Sequence, residues 1–312
     1  MSQTAGRVIV RVPAKINLQL AVGPLRPDGF HELATVFCAL DLCDVLTASP
    51  AGSLTLDVQG PEGAGLAADR NNLAWRAAEL LAGHAGVPAR VGLHIEKNIP
   101  VAAGLAGGSA DAAAALLACD RLWGLHLPAP ELAALAARLG SDVAFALLGG
   151  TAVGAGRGER LRPIEGAASF SWVLAAADGG LATPAVYAEL DRQRGLGDDA
   201  PAPVVADPAA TLAASGVAEA VTSGDPELLA GRLGNDLQPA ALALAPYLAD
   251  TLAAGQKCGA LAGLVSGSGP TCAFLARDGE HARTLARALA GTGSCRQAFA
   301  VTGGTARPTV LG

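Results

Sequence analysis

A glycine-rich segment between an alternating strand and an almost uncharged helix is the feature that most constrains this chain. Val91, Leu93 and Ile95 alternate with other residues, which predicts a strand that leads directly into Pro100–Ser109. A helix that is buried nearly all round is predicted to follow, over residues 109–123. A glycine-rich turn at a helix start leaves backbone N–H groups free, and these favour an anion such as phosphate. The same turn would also suit a helix that merely packs closely.

Three widespread motifs are absent from the sequence. It contains no G-x-x-x-x-G-K-[ST], and no G-x-G-x-x-G follows the first predicted strand. Ser109 and Ser268 both lack the flanking glycines of a G-x-S-x-G nucleophile elbow. These absences exclude a Walker-type site, a Rossmann dinucleotide site and an α/β-hydrolase elbow, so a nucleotide would have to be held in another way.

Charge and cysteine usage exclude further classes of protein. The formal net charge is −6, and no Lys/Arg cluster could neutralise a nucleic-acid backbone, so we expect a small-molecule ligand and no nucleic acid. The six cysteines form no C-x-x-C pair and the first residues form no apolar signal segment, which favours reduced thiols in the cytoplasm. Residues 101–119 are the one possible membrane span, but Asp111 and a Gly-Gly-Ser break argue against it. We therefore expect no membrane association.

The first half of the chain is predicted to alternate strands and helices around the glycine-rich loop. Residues 7–12 alternate in character, which predicts a strand with Lys15 and Asn17 just beyond its end. The other elements predicted for this half are a turn at Asp28-Gly29, a strand over residues 30–42, and helices over residues 72–82 and 131–139.

A change of sequence texture after Arg162-Pro163 indicates a domain boundary near residue 165. At 312 residues the chain is long for a single core, so we expect domains at 1–165 and 166–312 and an α+β class overall. The elements predicted for the second half are strands over residues 172–176 and 297–301, two strands flanking residues 266–270, helices over 219–233, 240–253 and 280–290, and an exposed loop over 195–208.

Two charged residues stand out as candidates for chemistry. Lysine is rare, with only Lys15, Lys97 and Lys257, and Lys15 beside Asn17 is suited to stabilise negative charge on a transferring phosphoryl group. A surface lysine is the alternative. Asp142 enters an apolar helix without an adjacent cation in the sequence, and desolvation there would make it a base. An ordinary first-turn aspartate, favoured by the helix dipole, is equally compatible with the pattern.

A second glycine-rich turn and the helix cap before Asp142 complete the local predictions. Ser266–Thr271 is too short to bind a nucleotide alone, but it would close over phosphates held by the first loop; it would equally serve as a plain turn between strands. Gly140 is predicted to end one helix, and Ser141 is the candidate cap of the next. Four histidines show no metal-ligand spacing, so no protein-built metal site is predicted; they are His84, His94, His126 and His281.

Four sequence blocks together resemble the GHMP kinases. They are Pro13–Leu18, Asp28–Glu32, Pro100–Ala112 and Ser266–Thr271. The last two match the superfamily, and the first two are similar to a member that phosphorylates the 2-hydroxyl of a cytidine-diphosphate-linked sugar alcohol in the non-mevalonate route to isoprenoid precursors. The resemblance implies ATP as donor with Mg²⁺ accompanying it, and we expect a monomer or homodimer. It also implies a two-domain fold, with an N-terminal domain like domain 2 of ribosomal protein S5 and a ferredoxin-like C-terminal domain.

The resemblance also implies roles for individual residues. Asp142 would take the hydroxyl proton and Lys15 would stabilise charge, while Ser266, Gly267, Ser268 and Gly269 would flank the phosphates. The cytidine end would be held by Asn17, Phe30 and His31, and Thr183 would touch the substrate. The implied ATP contacts are Asn72, Lys97, Pro100, Val101, Ala102, Ala103, Gly104, Leu105, Ala106, Gly107, Gly108, Ser109 and Ala110. Phe30 stands where tyrosine is frequent, and Ala106 where glycine is frequent. A mevalonate-type or homoserine-type kinase, or a nucleotide-binding regulator without catalysis, remains as an alternative.

Overall fold

Two long antiparallel strands form the centre of the fold. The computed structural model describes residues 6–195 and 207–311. Strands β1 (Val8–Leu25) and β2 (His31–Pro50) pair along nearly their whole length, with register shifts beside Lys15 and Asn17. Both predicted strands are therefore confirmed, but each is longer than expected. The prediction that Lys15 and Asn17 follow a strand end is wrong, because β-bulges let β1 continue through Pro13, which lacks an N–H donor.

The remaining strands extend this pair on both sides. They are β3 (Thr55–Gln59), β4 (Val91–Glu96), β5 (Thr151–Gly156), β6 (Arg160–Pro163), β7 (Phe170–Ala176), β8 (Gly234–Asn235), β9 (Ala262–Val265), β10 (Cys272–Ala276), β11 (Gln297–Gly303) and β12 (Thr309–Val310). Within the described part of the chain the sheet order is β12-β1-β2-β11-β7-β10-β9. Strands β4 and β5 also pair with β2, while the short β8 runs parallel to β1. Helices and strands mix as an α+β fold, which confirms the predicted class.

Helices cover the sheet, and one of them lies in the middle of the largest core. They are α1 (Leu73–Ala85), α2 (Gly107–Leu122), α3 (Ala129–Leu139), α4 (Ser141–Leu148), α5 (Thr183–Gln193), α6 (Pro208–Ser215), α7 (Val217–Ser223), α8 (Pro226–Ala230), α9 (Gln238–Leu244), α10 (Tyr247–Lys257) and α11 (Gly279–Ala290). Helix α2 follows the glycine-rich loop, packs on α1, α4, β1 and β2, and is buried almost all round, as predicted. Its many alanines permit this close approach.

Several predicted helices differ from the structure for local reasons. The helix expected over residues 219–233 is two short helices, α7 and α8, because Gly224 in left-handed backbone is followed by Asp225 capping a new helix at Pro226. The helix expected over 240–253 is likewise divided, between α9 and α10, at Pro246.

Other differences concern caps and undescribed residues. Ser141 is the first residue of α4 and makes no side-chain capping bond, so its prediction as a cap is wrong; Gly140, in extended backbone, joins α3 to α4. Helix α5 was not predicted, although Pro184 in its first turn and the spacing of Val186 and Leu190 are typical helix signals. The loop predicted over residues 195–208 lies mostly outside the described residues.

Candidate functional site

The two glycine-rich turns lie against each other, although more than 150 residues separate them in the chain. Ser266 donates from Oγ to the carbonyl oxygen of Gly104 at 3.1 Å, and the N–H of Thr271 donates to Ala103 O at 3.3 Å. The N–H of Lys15 donates to Leu105 O at 3.1 Å, so β1 supports the same loop. A Cβ atom on Gly104 would collide with the Ser266 carbonyl oxygen, which is why this position requires glycine.

Left-handed backbone shapes the loop before α2. Gly104 has φ 74°, and two alanines share this region, Ala102 with φ 52° and Ala106 with φ 58°. Alanine in this conformation is strained by about 1–2 kcal/mol. Ala106 directly precedes α2 and no side chain in the described part of the chain caps the helix, so the first N–H groups of α2 remain available to a ligand. The loop therefore presents main-chain donors at a helix start, as an anion site requires.

Lys15 and Asp142 meet at the end of this loop. Lys15 Nζ lies 3.6 Å from Asp142 Oδ2, and the Asp142 side chain remains 34% exposed. The fold thus supplies a cation beside Asp142 that the local sequence does not show. Lys15 Nζ also donates to Asn17 Oδ1 at 2.8 Å, and Asn17 Nδ2 donates to Thr35 Oγ1 at 2.8 Å. This relay fixes the orientation of the Asn17 amide and directs the ammonium group.

A second lysine is enclosed beneath the loop. Lys97 Nζ contacts Asp44 Oδ2 at 2.5 Å and Asp111 Oδ2 at 2.6 Å, and all three side chains are at most 5% exposed. Asp44 Oδ1 also accepts from the N–H groups of Asn98 and Ile99, at 2.6 and 2.9 Å. Burial raises the pKa of Asp111 to about 7, although the Lys97 charge opposes the rise. The other Asp111 oxygen has no hydrogen-bond partner among the residues that the structure describes.

His31, the first residue of β2, contacts helix α5. Its Nε2 lies 2.9 Å from Asp191 Oδ1, and its ring stacks on Tyr187 with centroids 5.0 Å apart. Burial, and secondarily the negative charge of Asp142, raises the pKa of Tyr187. Sequence reasoning missed both Asp191 and Tyr187 because it missed α5. Their spacing of four residues after a first-turn proline was the signal that could have found them.

Phe30 and Arg157 lie beside this cluster. The Arg157 guanidinium stands 4.7 Å from the Phe30 ring centroid, a cation–π contact, and half of the Phe30 side chain is exposed. Arg157 was also missed, since a lone arginine in a Gly-Arg-Gly turn carries no motif. Thr183, at the start of α5, shares a hydrogen bond of 3.0 Å with Ser268 of the second glycine-rich turn.

One cavity of about 600 Å³ collects most of the predicted residues. Among them, those that line it are Lys15, Asn17, Asn72, Lys97, Pro100, Val101, Ala102, Ala103, Gly104, Ala106, Gly107, Gly108, Ser109, Asp142, Thr183, Gly267, Ser268 and Gly269. Five predicted residues do not line it: Phe30, His31, Leu105, Ala110 and Ser266. Leu105, Ala110 and Ser266 are buried and do not reach the cavity, whereas His31 stacks on Tyr187, which does line it. The volume is typical of a small-molecule site.

Asn72 has a structural role at the start of α1. Asn72 caps α1 by accepting from the N–H of Ala74 at 2.9 Å, so its side-chain oxygen is already engaged. Among residues 6–195 and 207–311, no three His, Cys, Asp or Glu side chains are grouped to hold a metal ion. Every helix in those ranges is too short or too polar to span a bilayer.

Comparison with known proteins gives a consistent result across both halves of the chain. Residues 72–150 match the family model described as GHMP kinases N terminal domain, and residues 217–295 match the model described as GHMP kinases C terminal. The phosphate-loop candidate and Asp142 lie in the first match.

Individual relatives cover nearly the whole chain. The chain is 56% identical over 291 residues to the 4-diphosphocytidyl-2-C-methyl-D-erythritol kinase of Streptomyces avermitilis, covering 93% of this chain and 95% of the relative. A crystal structure of 4-(cytidine 5'-diphospho)-2C-methyl-D-erythritol kinase is 37% identical, with a TM-score of 0.73 and coverage of 95% and 100%. Homoserine kinase from Cytophaga hutchinsonii has a TM-score of 0.72 at 17% identity, covering 100% and 99%, and supports the fold alone.

Proposed function

Because this chain belongs to the GHMP kinases, and among them to the 4-diphosphocytidyl-2-C-methyl-D-erythritol kinase family, we propose that it phosphorylates the 2-hydroxyl of 4-diphosphocytidyl-2-C-methyl-D-erythritol with ATP. This reaction belongs to the non-mevalonate route to isoprenoid precursors. The observation that carries the proposal is the position of Lys15 and Asp142, 3.6 Å apart at the rim of a loop of main-chain donors.

The proposed mechanism is direct in-line transfer without a covalent enzyme intermediate. Asp142 is partly exposed to the cavity and takes the proton of the attacking hydroxyl. Lys15, fixed by Asn17, stabilises the charge that develops on the transferring phosphoryl group. The distance of 3.6 Å between Lys15 Nζ and Asp142 Oδ2 is longer than a hydrogen bond, so each group is free to contact a reactant in place of the other. Positioning and electrostatics supply most of the rate.

ATP phosphates are proposed to lie on the loop and on the first turn of α2. Gly107, Gly108 and Ser109 line the cavity there, and Ser109 offers a hydroxyl oxygen beside the phosphates. Mg²⁺ accompanying ATP would neutralise phosphate charge, and an ion held mainly by phosphate oxygens and water fits a cavity lined by the Ser109 hydroxyl and the carboxylates of Asp111 and Asp142. The adenosine is assigned to the side of the cavity formed by Asn72 and Lys97.

The cytidine end is assigned to the opposite side. Asn17 and Thr183 line the cavity, and His31, held by Asp191 and Tyr187, lies behind it. Phe30 offers an exposed ring face for stacking, and Arg157 is suited to a phosphate of the cytidine diphosphate. These side chains are suited to recognise a nucleobase, which mevalonate and homoserine lack.

A coupled ADP-release assay tests the proposal. The purified chain is supplied with ATP and 4-diphosphocytidyl-2-C-methyl-D-erythritol, mevalonate or homoserine in parallel. We expect ADP release with the cytidylated acceptor. ADP release with mevalonate or homoserine alone would show that the proposed acceptor is wrong. ATP binding without ADP release in any of the three reactions would favour a nucleotide-binding regulator without catalysis.

Gly108 offers a separate test of the phosphate site. A Cβ on Gly108 would meet only Leu73 Cδ1, at 3.7 Å, so a side chain there fits the protein but enters the cavity. Gly108→Val should therefore weaken ATP binding strongly without unfolding the chain. Gly83→Val, in open space on α1, is the matched control and should leave ATP affinity unchanged. Equal ATP affinities in both variants would show that the loop is only a turn.

We also propose a domain boundary, a cellular location and an oligomeric state for the chain. The division at residue 165 is supported by the sheet, in which β2 and β11 meet through one register pair among the described residues, Leu40 and Gly303; the short strands β8 and β12, which also follow residue 165, pair with β1. A cytoplasmic location is supported by the cysteines, all six of which are free thiols. We propose a monomer or homodimer that acts on this small molecule without nucleic acid or membrane.

A further inference from the structure

The second glycine-rich turn contacts Lys15, the phosphate loop and the start of α5 in the proposed phosphoryl-transfer site. A Cβ on Gly267 would lie 3.4 Å from both Lys15 Nζ and Asn17 Oδ1. Ser266 holds the Gly104 carbonyl of the phosphate loop, and Ser268 holds Thr183. The conformation of residues 266–269, here called the second turn, therefore helps to set the distance between the Lys15 ammonium group and the loop, in addition to the direct bond from the Lys15 N–H to Leu105 O.

Asn235 is the side chain that fixes this turn from behind. Its Nδ2 donates to Val265 O at 2.8 Å and to Gly267 O at 2.7 Å, while its Oδ1 accepts from the N–H of Leu237 at 2.9 Å. Both amide hydrogens and the amide oxygen are used. The amide cannot be reversed, because its oxygen would then face two carbonyl oxygens. Asn235 does not line the cavity.

Asn235 is itself held on the strand that carries the lysine. It lies in β8, which pairs in parallel with β1 at Leu20. The N–H of the next residue, Asp236, donates to Leu20 O at 2.9 Å, and the Asp236 carboxylate accepts from Val22 N and from Arg194. Asn235 thus connects a fixed point on β1 to a turn whose own backbone contains two glycines in left-handed conformation, Gly267 and Gly269.

We propose that Asn235 is a positioning residue for phosphoryl transfer: it holds the second turn so that Lys15 and the phosphate loop keep their productive separation. The inference rests on the proposed kinase function and adds to it a residue that touches neither reactant. Displacements on the order of 1 Å in such a site cost roughly 10²-fold in rate. The loss should therefore fall on kcat, while each reactant keeps its direct contacts.

The test is Asn235→Asp, which keeps the shape of the side chain and the acceptor for Leu237 but replaces the two N–H donors by an oxygen. We expect kcat per folded molecule to fall roughly 10–100-fold, with KM for ATP and for the cytidylated acceptor changing less than about threefold. The matched control is Gln238→Glu. Gln238 accepts from the N–H of the same Val265 at 2.9 Å, so the control adds the same charge beside the same strand and keeps its bond.

A double-mutant comparison separates positioning from general weakening. Ser266→Ala removes the bond to Gly104, and it should cost much less in the Asn235→Asp background than in the wild type, because both changes release one turn. Multiplicative losses, or a kcat for Asn235→Asp equal to that of Gln238→Glu, would overturn the inference. Wild-type chain that releases no ADP would instead refute the proposed function. In that case amide hydrogen exchange of Gly267 and Gly269 tests the inference, because it requires no enzymatic activity. Faster exchange in Asn235→Asp than in the wild-type chain supports the inference, and unchanged exchange overturns it.

Discussion

Two lysines line the same cavity, and their surroundings are opposite. Lys15 stands 3.6 Å from a single carboxylate, Asp142, which remains about one-third exposed. Lys97 is in contact with Asp44 and Asp111 at 2.5 and 2.6 Å, in a place that water hardly reaches. Separating a buried ammonium group from a carboxylate at hydrogen-bond distance costs much free energy, whereas a partly exposed and more distant ion pair is easily separated. The contrast separates a lysine suited to a reacting phosphoryl group from one suited to hold the fold.

The enclosed lysine connects three segments that frame the phosphate loop. Asp44 belongs to β2, Lys97 follows β4, and Asp111 lies in α2 just after the loop. A Cβ on Gly107 would lie 2.9 Å from Lys97 Nζ, so the ammonium group sits directly under the start of α2. Lys97 therefore supports the loop from below, in addition to lining the side that we assign to adenosine.

The largest effect should come from Asp142→Asn. Removing the proposed base should lower kcat by roughly 10²–10⁴-fold, while ATP affinity and the free energy of unfolding change little because the side chain is partly exposed. Steady-state ADP release and urea unfolding measure the two quantities.

Asp250→Asn is the matched control, because Asp250 is also an acidic residue in the first turn of a helix, α10. A first-turn aspartate that only complements the helix dipole contributes about 0.3–1 kcal/mol to stability and nothing to turnover. If the Asp142 and Asp250 variants behave alike, Asp142 is such a residue and the catalytic assignment fails.

Lys97→Met should produce the opposite profile, with the main loss in stability. It leaves two buried carboxylates without their cation, and breaking a buried ion pair in this way costs about 3–5 kcal/mol. Urea unfolding followed by circular dichroism gives the change in the free energy of unfolding. Lys257→Met, at an exposed lysine, should stay within about 0.5 kcal/mol. A loss below about 1 kcal/mol for Lys97→Met would show that the cluster is not a structural support.

Asp111 should make the stability of the enclosed cluster depend on pH. Its pKa is raised to about 7 in the folded chain from the ordinary 3.8, chiefly by burial, so the folded state binds the proton more tightly than the unfolded state. The resulting stabilisation is complete below about pH 4 and is lost as pH rises to about 7. Asp111→Asn cannot ionise and removes this dependence. Unfolding free energies measured from pH 5 to 8 should therefore shift in favour of the variant as pH rises; a constant difference would contradict the prediction.

The sequence predicted local features of the fold well and long-range features poorly. The strand, loop and helix around Pro100–Ser109 were predictable because polarity patterns and glycines act locally. The full length of β1 was not, because a bulge that carries a strand past Pro13 depends on its partner β2. Helix α5 was missed although Pro184 marked its start, and with it the partners of His31 were missed.

The candidate site shows the same limit. The resemblance of four blocks named Lys15 and Asp142, and the fold brings the two together. No local pattern could show that Lys97 is enclosed by Asp44 and Asp111, since the residues come from three separate segments. Charged residues that meet only in three dimensions, such as Asp191 at His31, are invisible to spacing arguments. The sequence therefore predicted both lysines as site residues, and the structure shows that their surroundings differ.

The smallest effect should be the change in stability on Lys15→Met, and it completes the comparison with Lys97→Met. The substitution removes the same ammonium group, but the carboxylate left behind is about one-third exposed and water can solvate it. Ion pairs of that exposure contribute about 0–1 kcal/mol, so the free energy of unfolding should change by no more than about 1 kcal/mol in either direction. Urea unfolding of both methionine variants under one condition measures the contrast. Turnover should nevertheless fall for Lys15→Met, because the charge on the transferring group loses its stabilising cation. Equal destabilisation by the two substitutions would mean that the two lysines serve one structural role, and the distinction between them would be wrong.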